Sequence, residues 1–163
     1  MTVAVPQHSY FTNHHTRMEP NERTPRETIW RIPPMPAPVE ERRVLIADDD
    51  IDATRATVLL LEDAGFVVRT AHTGLDAVGV ARKWRPFTLL LDLTMPLGDG
   101  WEAAEVIRAA HPSMMLMAHT SSTDYADWKR SQVTGFDAYF VKPAEPARII
   151  EVLDQYFLQQ SQE

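Results

Sequence analysis

From Phe87 to Leu91 the chain reads Phe-Thr-Leu-Leu-Leu, and a single carboxylate, Asp92, ends the run. A turn containing Pro96, Gly98 and Gly100 follows before Trp101. A short apolar run bounded by turn residues suits a strand buried on both faces, as in the interior of a parallel sheet. Asp92 then stands at the carboxyl end of that strand, where open α/β sheets bind ligands. What other side chains reach the same edge decides what the molecule can do.

The flanking sequence repeats one unit. Val44 to Ala47 is a second apolar run, ending in Asp48-Asp49-Asp50, and helical spacing follows, with Ala56, Leu59, Leu60 and Ala64 expected on the buried face before Gly65. Phe66 to Ala71 is β-rich, and Leu75, Val78 and Ala81 mark a helix over Gly74 to Trp84. After the Phe87 strand come a helix from Trp101 to Ala110 and a strand from Met114 to His119. A more polar helix (Tyr125 to Val133), a strand (Ala138 to Val141) and a helix opening on Pro146 complete the pattern. Five strand–helix units with short connections call for a parallel sheet with helices on both faces and right-handed crossovers. Met114, Met115 and Met117 are expected as adaptable core packing.

Residues 1–42 differ in kind. They hold seven of the twelve prolines, Pro6, Pro20, Pro25, Pro33, Pro34, Pro36 and Pro38, and show neither helical nor strand period. A polar, proline-rich segment buries too little apolar surface to offset its ordering entropy, so it is expected to be a disordered or extended arm, with the domain proper at 43–163. Polyproline character is expected near Pro33 to Pro38. His14-His15 lacks further ligands and is read as solvated. Ile29-Trp30-Arg31-Ile32 has two readings, a linker that packs on its own domain or a short docking motif.

Composition removes several function classes. The absence of cysteine excludes disulfides, zinc–thiolate centres and thiol nucleophiles, and fits a reducing cytoplasm. A net charge of −7 argues against electrostatic binding of nucleic acid, and no apolar run approaches membrane-spanning length. No secretory signal is read at the N-terminus. Protein or cation partners fit best.

In a parallel sheet the strand ends converge. They bring Asp48 and Asp49, Asp92, Thr120, and Lys142-Pro143 to one edge, whereas His72, at the end of the second strand, is given no role. Carboxylates ~4 Å apart at an effective dielectric near 20 repel by roughly 4 kcal/mol per pair, so a cation is required. Hard oxygen ligands without sulfur favour Mg²⁺. A carboxylate beside Mg²⁺, an ammonium and a hydroxyl make a phosphoryl-transfer site with Asp92 as acceptor.

These residues resemble the receiver domain of two-component response regulators: Asp48-Asp49 after Val-Leu-Ile-Ala, the segment Asp92 to Gly100, Thr120, and Lys142-Pro143. The resemblance spans about Arg43 to Phe157. It implies a flavodoxin-like (βα)5 fold with strand order 2-1-3-4-5. It implies Asp92 as the phosphorylated aspartate, Asp49 as a direct Mg²⁺ ligand with Asp48 acting through water, and the Thr94 carbonyl as a further ligand. Lys142 resembles the phosphate-pairing lysine, joined to Pro143 by a cis peptide, and Thr120 and Tyr139 resemble a switch pair. Asp50 falls at a helix-capping position; pairing Asp49 with Asp50 is the alternative register. Ser121 stands where the family tends to carry alanine or glycine, and its bulk would slow access to the acceptor. His119 is read as a strand side chain.

The expected function is that of a cytoplasmic phosphoacceptor, not an enzyme acting on other substrates. A sensor histidine kinase or a phosphotransfer protein would supply the phosphoryl group. Thr120 would move toward it and Tyr139 would turn inward into the vacated space. The surface of the fourth helix, fifth strand and last helix would then change for a downstream protein target or a homodimer. Tyr125, Trp128, Lys129 and Arg130 are the expected readout residues, with Trp128 alternatively part of the core. With only Gln159 to Glu163 after the last helix, a stand-alone receiver is expected. Two rivals are a receiver-like binding module that takes no phosphate, and a haloacid-dehalogenase-like phosphatase using Asp50-Ile51-Asp52-Ala53-Thr54.

Overall fold

Leu89, Leu90 and Leu91 can all be buried because helices cover both faces of the sheet that contains them. The computed structural model describes residues 23–35, 39–95 and 100–159. His14, His15, Pro6, Pro20, Pro36, Pro38, Pro96 and Gly98 lie outside the described residues. In chain order the elements are β1 (Glu27–Ile29), β2 (Arg43–Ala47), α1 (Ile51–Asp63), β3 (Val67–Ala71), α2 (Gly74–Trp84) and β4 (Thr88–Leu91). Then come α3 (Gly100–Ala110), β5 (Met115–Thr120), α4 (Tyr125–Thr134), β6 (Ala138–Val141) and α5 (Pro146–Phe157).

The sheet runs β1-β6-β5-β4-β2-β3. From β6 to β3 all pairs are parallel, and these five strands follow the expected order when counted without β1. Alternate residues of each strand feed the two faces, as the strand's period of two requires. Leu45, Leu89, Leu91, Leu116 and Tyr139 join Trp101 and Ile107 beneath α2, α3 and α4. Val44, Ile46, Leu90, Met117 and Phe140 join Leu61, Ile149, Val152 and Tyr156 beneath α1 and α5. Met114, Met115 and Met117 are buried in these cores, as expected.

The helix ends follow the local chemistry of the sequence. Asp50 caps α1 by accepting from the Ala53 N–H at 3.0 Å, Thr73 caps α2, and Asp124 caps α4. Gly65 and Gly135 take positive φ beyond the ends of α1 and α4. The buried face of α1 corrects the sequence reading. Leu59 and Leu60 are exposed, whereas Thr54 and Leu61 are buried with Val58 beside them. The hydroxyl of Thr54 reaches the Asp50 carbonyl at 2.6 Å, so a polar residue sits on the core side without an unpaired group. Leu75 of α2 is likewise exposed, and Ala77 and Ala81 face the sheet.

The second correction concerns the arm. Residues 27–29, expected to be disordered or extended, form a sixth strand antiparallel to β6, with Thr28 opposite Tyr139. Glu27-Thr28-Ile29 is too short to hold a strand alone, and the β6 edge supplies the backbone partners. The flanks are bonded too: Val141 N–H donates to the Arg26 carbonyl at 2.9 Å, and Trp30 N–H to the Asp137 carbonyl at 2.8 Å.

Asp137 ties the arm to the core. Its buried carboxylate accepts from Arg108 at 2.7 Å, from the Leu116 N–H at 2.9 Å and from Arg31 of the arm at 2.9 Å. Arg31 is over half exposed, so screening weakens its share, and the half-buried Arg108 carries more of the compensation. Asp137→Ala strands that guanidinium and is expected to cost about 3–5 kcal/mol. Urea unfolding of the variant beside the wild type measures it.

Candidate phosphoacceptor site

The carboxyl ends of β2, β4, β5 and β6 meet at one edge because those strands are parallel. Asp48 and Asp92 are nearly buried there, while Asp49 is exposed at the rim. One carboxylate oxygen from each of Asp48, Asp49 and Asp92 lies within 4.8 Å of the others. Lys142, arriving from the end of β6, places its ammonium 2.6 Å from Asp48 Oδ2 and 3.3 Å from Asp92 Oδ2. Burial alone would lower the lysine pKa. The hydrogen bond with Asp48 and the charge of Asp92 outweigh it and hold the pKa above the ordinary value.

The other oxygen of Asp92 is held locally. Thr94 donates to Oδ1 from both its N–H and its hydroxyl, each at 3.2 Å. Asp48 is fixed from two sides: its Oδ1 accepts the Asp50 N–H at 2.9 Å, and His72 Nδ1 lies 2.9 Å from its carbonyl oxygen. A carbonyl can only accept, so that His72 nitrogen carries the proton. Gly100 lets the returning chain pass close to Asp92: a Cβ there would collide with the Asp92 carbonyl oxygen and the Leu93 backbone.

Thr120 ends β5 fully buried, and its hydroxyl accepts the Ser122 N–H at 3.2 Å. Tyr139 is also fully buried, and its hydroxyl donates to the Ser122 carbonyl at 3.1 Å. Burial pushes the Tyr139 phenol up to about 12, against the lowering effect of that hydrogen bond. The resemblance implies that this ring turns inward on phosphorylation; here it already lies buried. The Lys142-Pro143 peptide is cis, as the resemblance implies.

The structure thus brings Asp48, Asp49, Asp92 and Lys142 together, with Thr94 on Asp92 and Thr120 and Tyr139 linked through Ser122. Asp50 is taken up by the cap of α1. Sequence reasoning missed His72, although it ends a strand as the chosen residues do. It also missed Ser122, whose role rests on backbone groups that residue type does not reveal.

His119 lines a cavity of about 340 Å³ with Ile46, Asp48, Thr54, Lys142 and Pro143. Burial, and then the positive charge of Lys142, lower its pKa to about 4, against the opposing pull of Asp48 and Asp92.

A doubly wound α/β domain with an acid cluster and a lysine at the carboxyl edge carries a polar site where open α/β sheets bind ligands. Comparison places the chain within a family: residues 44–154 match the family model of the response regulator receiver domain, and the chain belongs to that family. An uncharacterized 14.6 kDa protein of Leptolyngbya boryana is 31% identical over 120 residues, covering 71% of this chain and 89% of its own. The DNA-binding response regulator MtrA of Mycolicibacterium paratuberculosis is 30% identical over 109 residues, 67% of this chain and 48% of its own. The chain thus spans about half the length of that relative. Among solved structures, a CheY-like receiver domain protein of Methanospirillum hungatei superposes with a TM-score of 0.71 at 26% identity, covering 75% of this chain and 98% of its own. The chemotaxis protein CheY4 of Vibrio cholerae gives 0.67 at 26% identity, over 71% and 98%. No described helix is long and apolar enough to cross a membrane.

With a folded pKa near 4 against an ordinary 6.5, His119 stays neutral while the unfolded chain gains a proton. Stability is therefore unaffected above pH 6.5 and falls as the pH drops toward 4, by about 3 kcal/mol if the whole shift is realised. His119→Gln removes that share of the acid sensitivity. Imidazole NMR titration of His119 and urea unfolding between pH 7 and 4 check both statements.

Proposed function

We propose that this chain takes a phosphoryl group onto Asp92 from a phosphohistidine of a sensor kinase or phosphotransfer protein, and signals by binding a downstream protein. The observation that carries this reading is the Lys142 ammonium between Asp48 and Asp92, in a cluster to which Asp49 also contributes. A purely structural ion pair needs one acid; a third carboxylate at the rim adds repulsion that a further cation would relieve.

The donor set is all oxygen and suits Mg²⁺, which Asp49 and Asp92 would hold directly, Asp48 through water, and Thr94 by its carbonyl. When bound, the ion supplies charge neutralisation of the acceptor and the incoming phosphoryl oxygens. The rest is done by the chain. An Asp92 oxygen attacks phosphorus, the O–P bond forms, and the P–N bond breaks with its electron pair passing to the leaving imidazole nitrogen. Lys142 keeps its bond to Asp48 and exchanges its longer contact with Asp92 for a phosphoryl oxygen. Thr94 orients the acid by holding Oδ1, and Thr120 offers a hydroxyl to a second phosphoryl oxygen. The product adds roughly −1.5 to −2 charges at the edge.

Thr120 and Tyr139 act as the switch, sharing Ser122 as intermediary. The readout surface is formed by α4, β6 and α5 and serves protein partners in the cytoplasm, with no direct contact to nucleic acid. Ser121, on the rim beside Thr120, slows access of donor and water to the acceptor.

Acetyl phosphate with Mg²⁺ is expected to add roughly 80 Da to the intact protein, the mass of one phosphate. Asp92→Asn abolishes the addition, and Lys142→Met slows it on the order of 100-fold, as loss of a charge-stabilising donor does. Asp50→Asn leaves it in place, which separates this reading from a phosphatase nucleophile at Asp50. Intact-mass spectrometry over a time course reads all four proteins; no addition to the wild type would refute acceptance at Asp92.

A further inference from the structure

The arm lies across the surface just assigned to partner binding. Its strand alternates between the two helices that flank β6. Glu27 pairs with Arg148 of α5 at 2.6 Å, and Ile29 packs into the core on the α5 side. Thr28 accepts from Trp128 Nε1 of α4 at 2.9 Å, and Trp30 packs on the α4 side. Beyond β1, Ile32 and Met35 continue along the α5 side, and the Pro33 carbonyl accepts from Gln159 at 3.0 Å. A partner or second copy approaching α4, β6 and α5 meets this segment first.

Two features connect it to the acceptor site. Trp30 stands edge-on to Tyr139 with ring centres 6.3 Å apart, and tilted against Trp128 at 5.7 Å. It is among the rings that cover the buried tyrosine. The start of the arm is bonded to both loops that leave the site. Thr24 donates to the Thr123 carbonyl at 2.8 Å, in the loop after Thr120. Arg26 reaches the carbonyls of Lys142 and Pro143 at 3.4 Å each, in the loop after β6. A rearrangement of either loop, or of Tyr139, is felt by the docked arm, and by thermodynamic reciprocity docking acts back on the site.

We propose that residues 24–35 are a built-in ligand of the α4–β6–α5 face, seated by strand addition and by Trp30, whose docking holds Tyr139 inward and promotes acceptance of phosphate at Asp92. The sign of the coupling follows from the inward ring, and it rests on the reading that an inward Tyr139 accompanies the phosphorylated state. The arm is then a positive effector in the same chain. Phosphorylation tightens its docking, so a partner drawn to the phosphorylated chain meets a face that includes the arm.

The test uses the full chain and beryllofluoride with Mg²⁺ as the phosphoryl mimic. Calorimetric titration is expected to show Trp30→Ala binding the mimic about tenfold more weakly than the wild type, within the usual range of coupling between sites. In the wild type, the mimic is expected to slow hydrogen exchange at the Trp30 and Val141 amides by a similar factor, a measurement that needs no variant. Thr28→Ala, a smaller change on the same strand, repeats the titration where Trp30→Ala does not fold. Equal affinities with unchanged exchange overturn the coupling while leaving the acceptor reading intact. Faster exchange with the mimic overturns its sign. Protection that rises with protein concentration shows the arm on a second copy and overturns docking within one chain. A wild type that binds no mimic overturns the acceptor reading and this inference together.

Discussion

Lys142 stands between two carboxylates that the sheet forces together. Parallel strands carry every carboxyl end to the same edge, so the aspartates ending β2 and β4 are neighbours by construction. The ammonium offsets the repulsion between Asp48 and Asp92, and they in turn hold its pKa above the ordinary lysine value despite burial. Asp49, added to the cluster at the exposed rim, exceeds what one ammonium can balance. The three carboxylates outnumber the one ammonium beside them. The chemistry proposed for Asp92 draws on that imbalance.

The same edge strand that delivers Lys142 also explains the arm. β6 is the last of the parallel strands, so its outer backbone groups form an edge with which another segment can pair. Glu27 to Ile29 are that segment, and Asp137, just before β6, fastens the continuation through its carbonyl and carboxylate. Thr28, Trp128, Trp30 and Tyr139 then form a connected layer from the arm to the interior. One strand therefore carries both Lys142 at its end and the edge on which the arm docks.

Much of the fold could be read directly. The five parallel strands, the capping role of Asp50 and the stop at Gly65 depend on local patterns that the structure keeps. The face of α1 could not be read this way. Leu59 and Leu60 are the more hydrophobic choice, yet Thr54 and Leu61 point to the sheet, because Thr54 satisfies its hydroxyl within its own helix. Ser122 was invisible for another reason: it meets Thr120 and Tyr139 through its backbone N–H and carbonyl, which every residue except proline possesses.

By itself, the sequence determined the doubly wound class and the set of polar residues at the strand ends, since burial on both faces and alternation with helices leave few other folds. It also determined which residue types could answer one another there: carboxylates, one ammonium, one hydroxyl. Tertiary structure alone decided that Trp30 covers Tyr139, that the ring lies inward, and that a three-residue segment among prolines becomes a strand. Those outcomes turn on an unpaired sheet edge over a hundred residues away, and a segment that gains its order only from such an edge carries no local period to announce it.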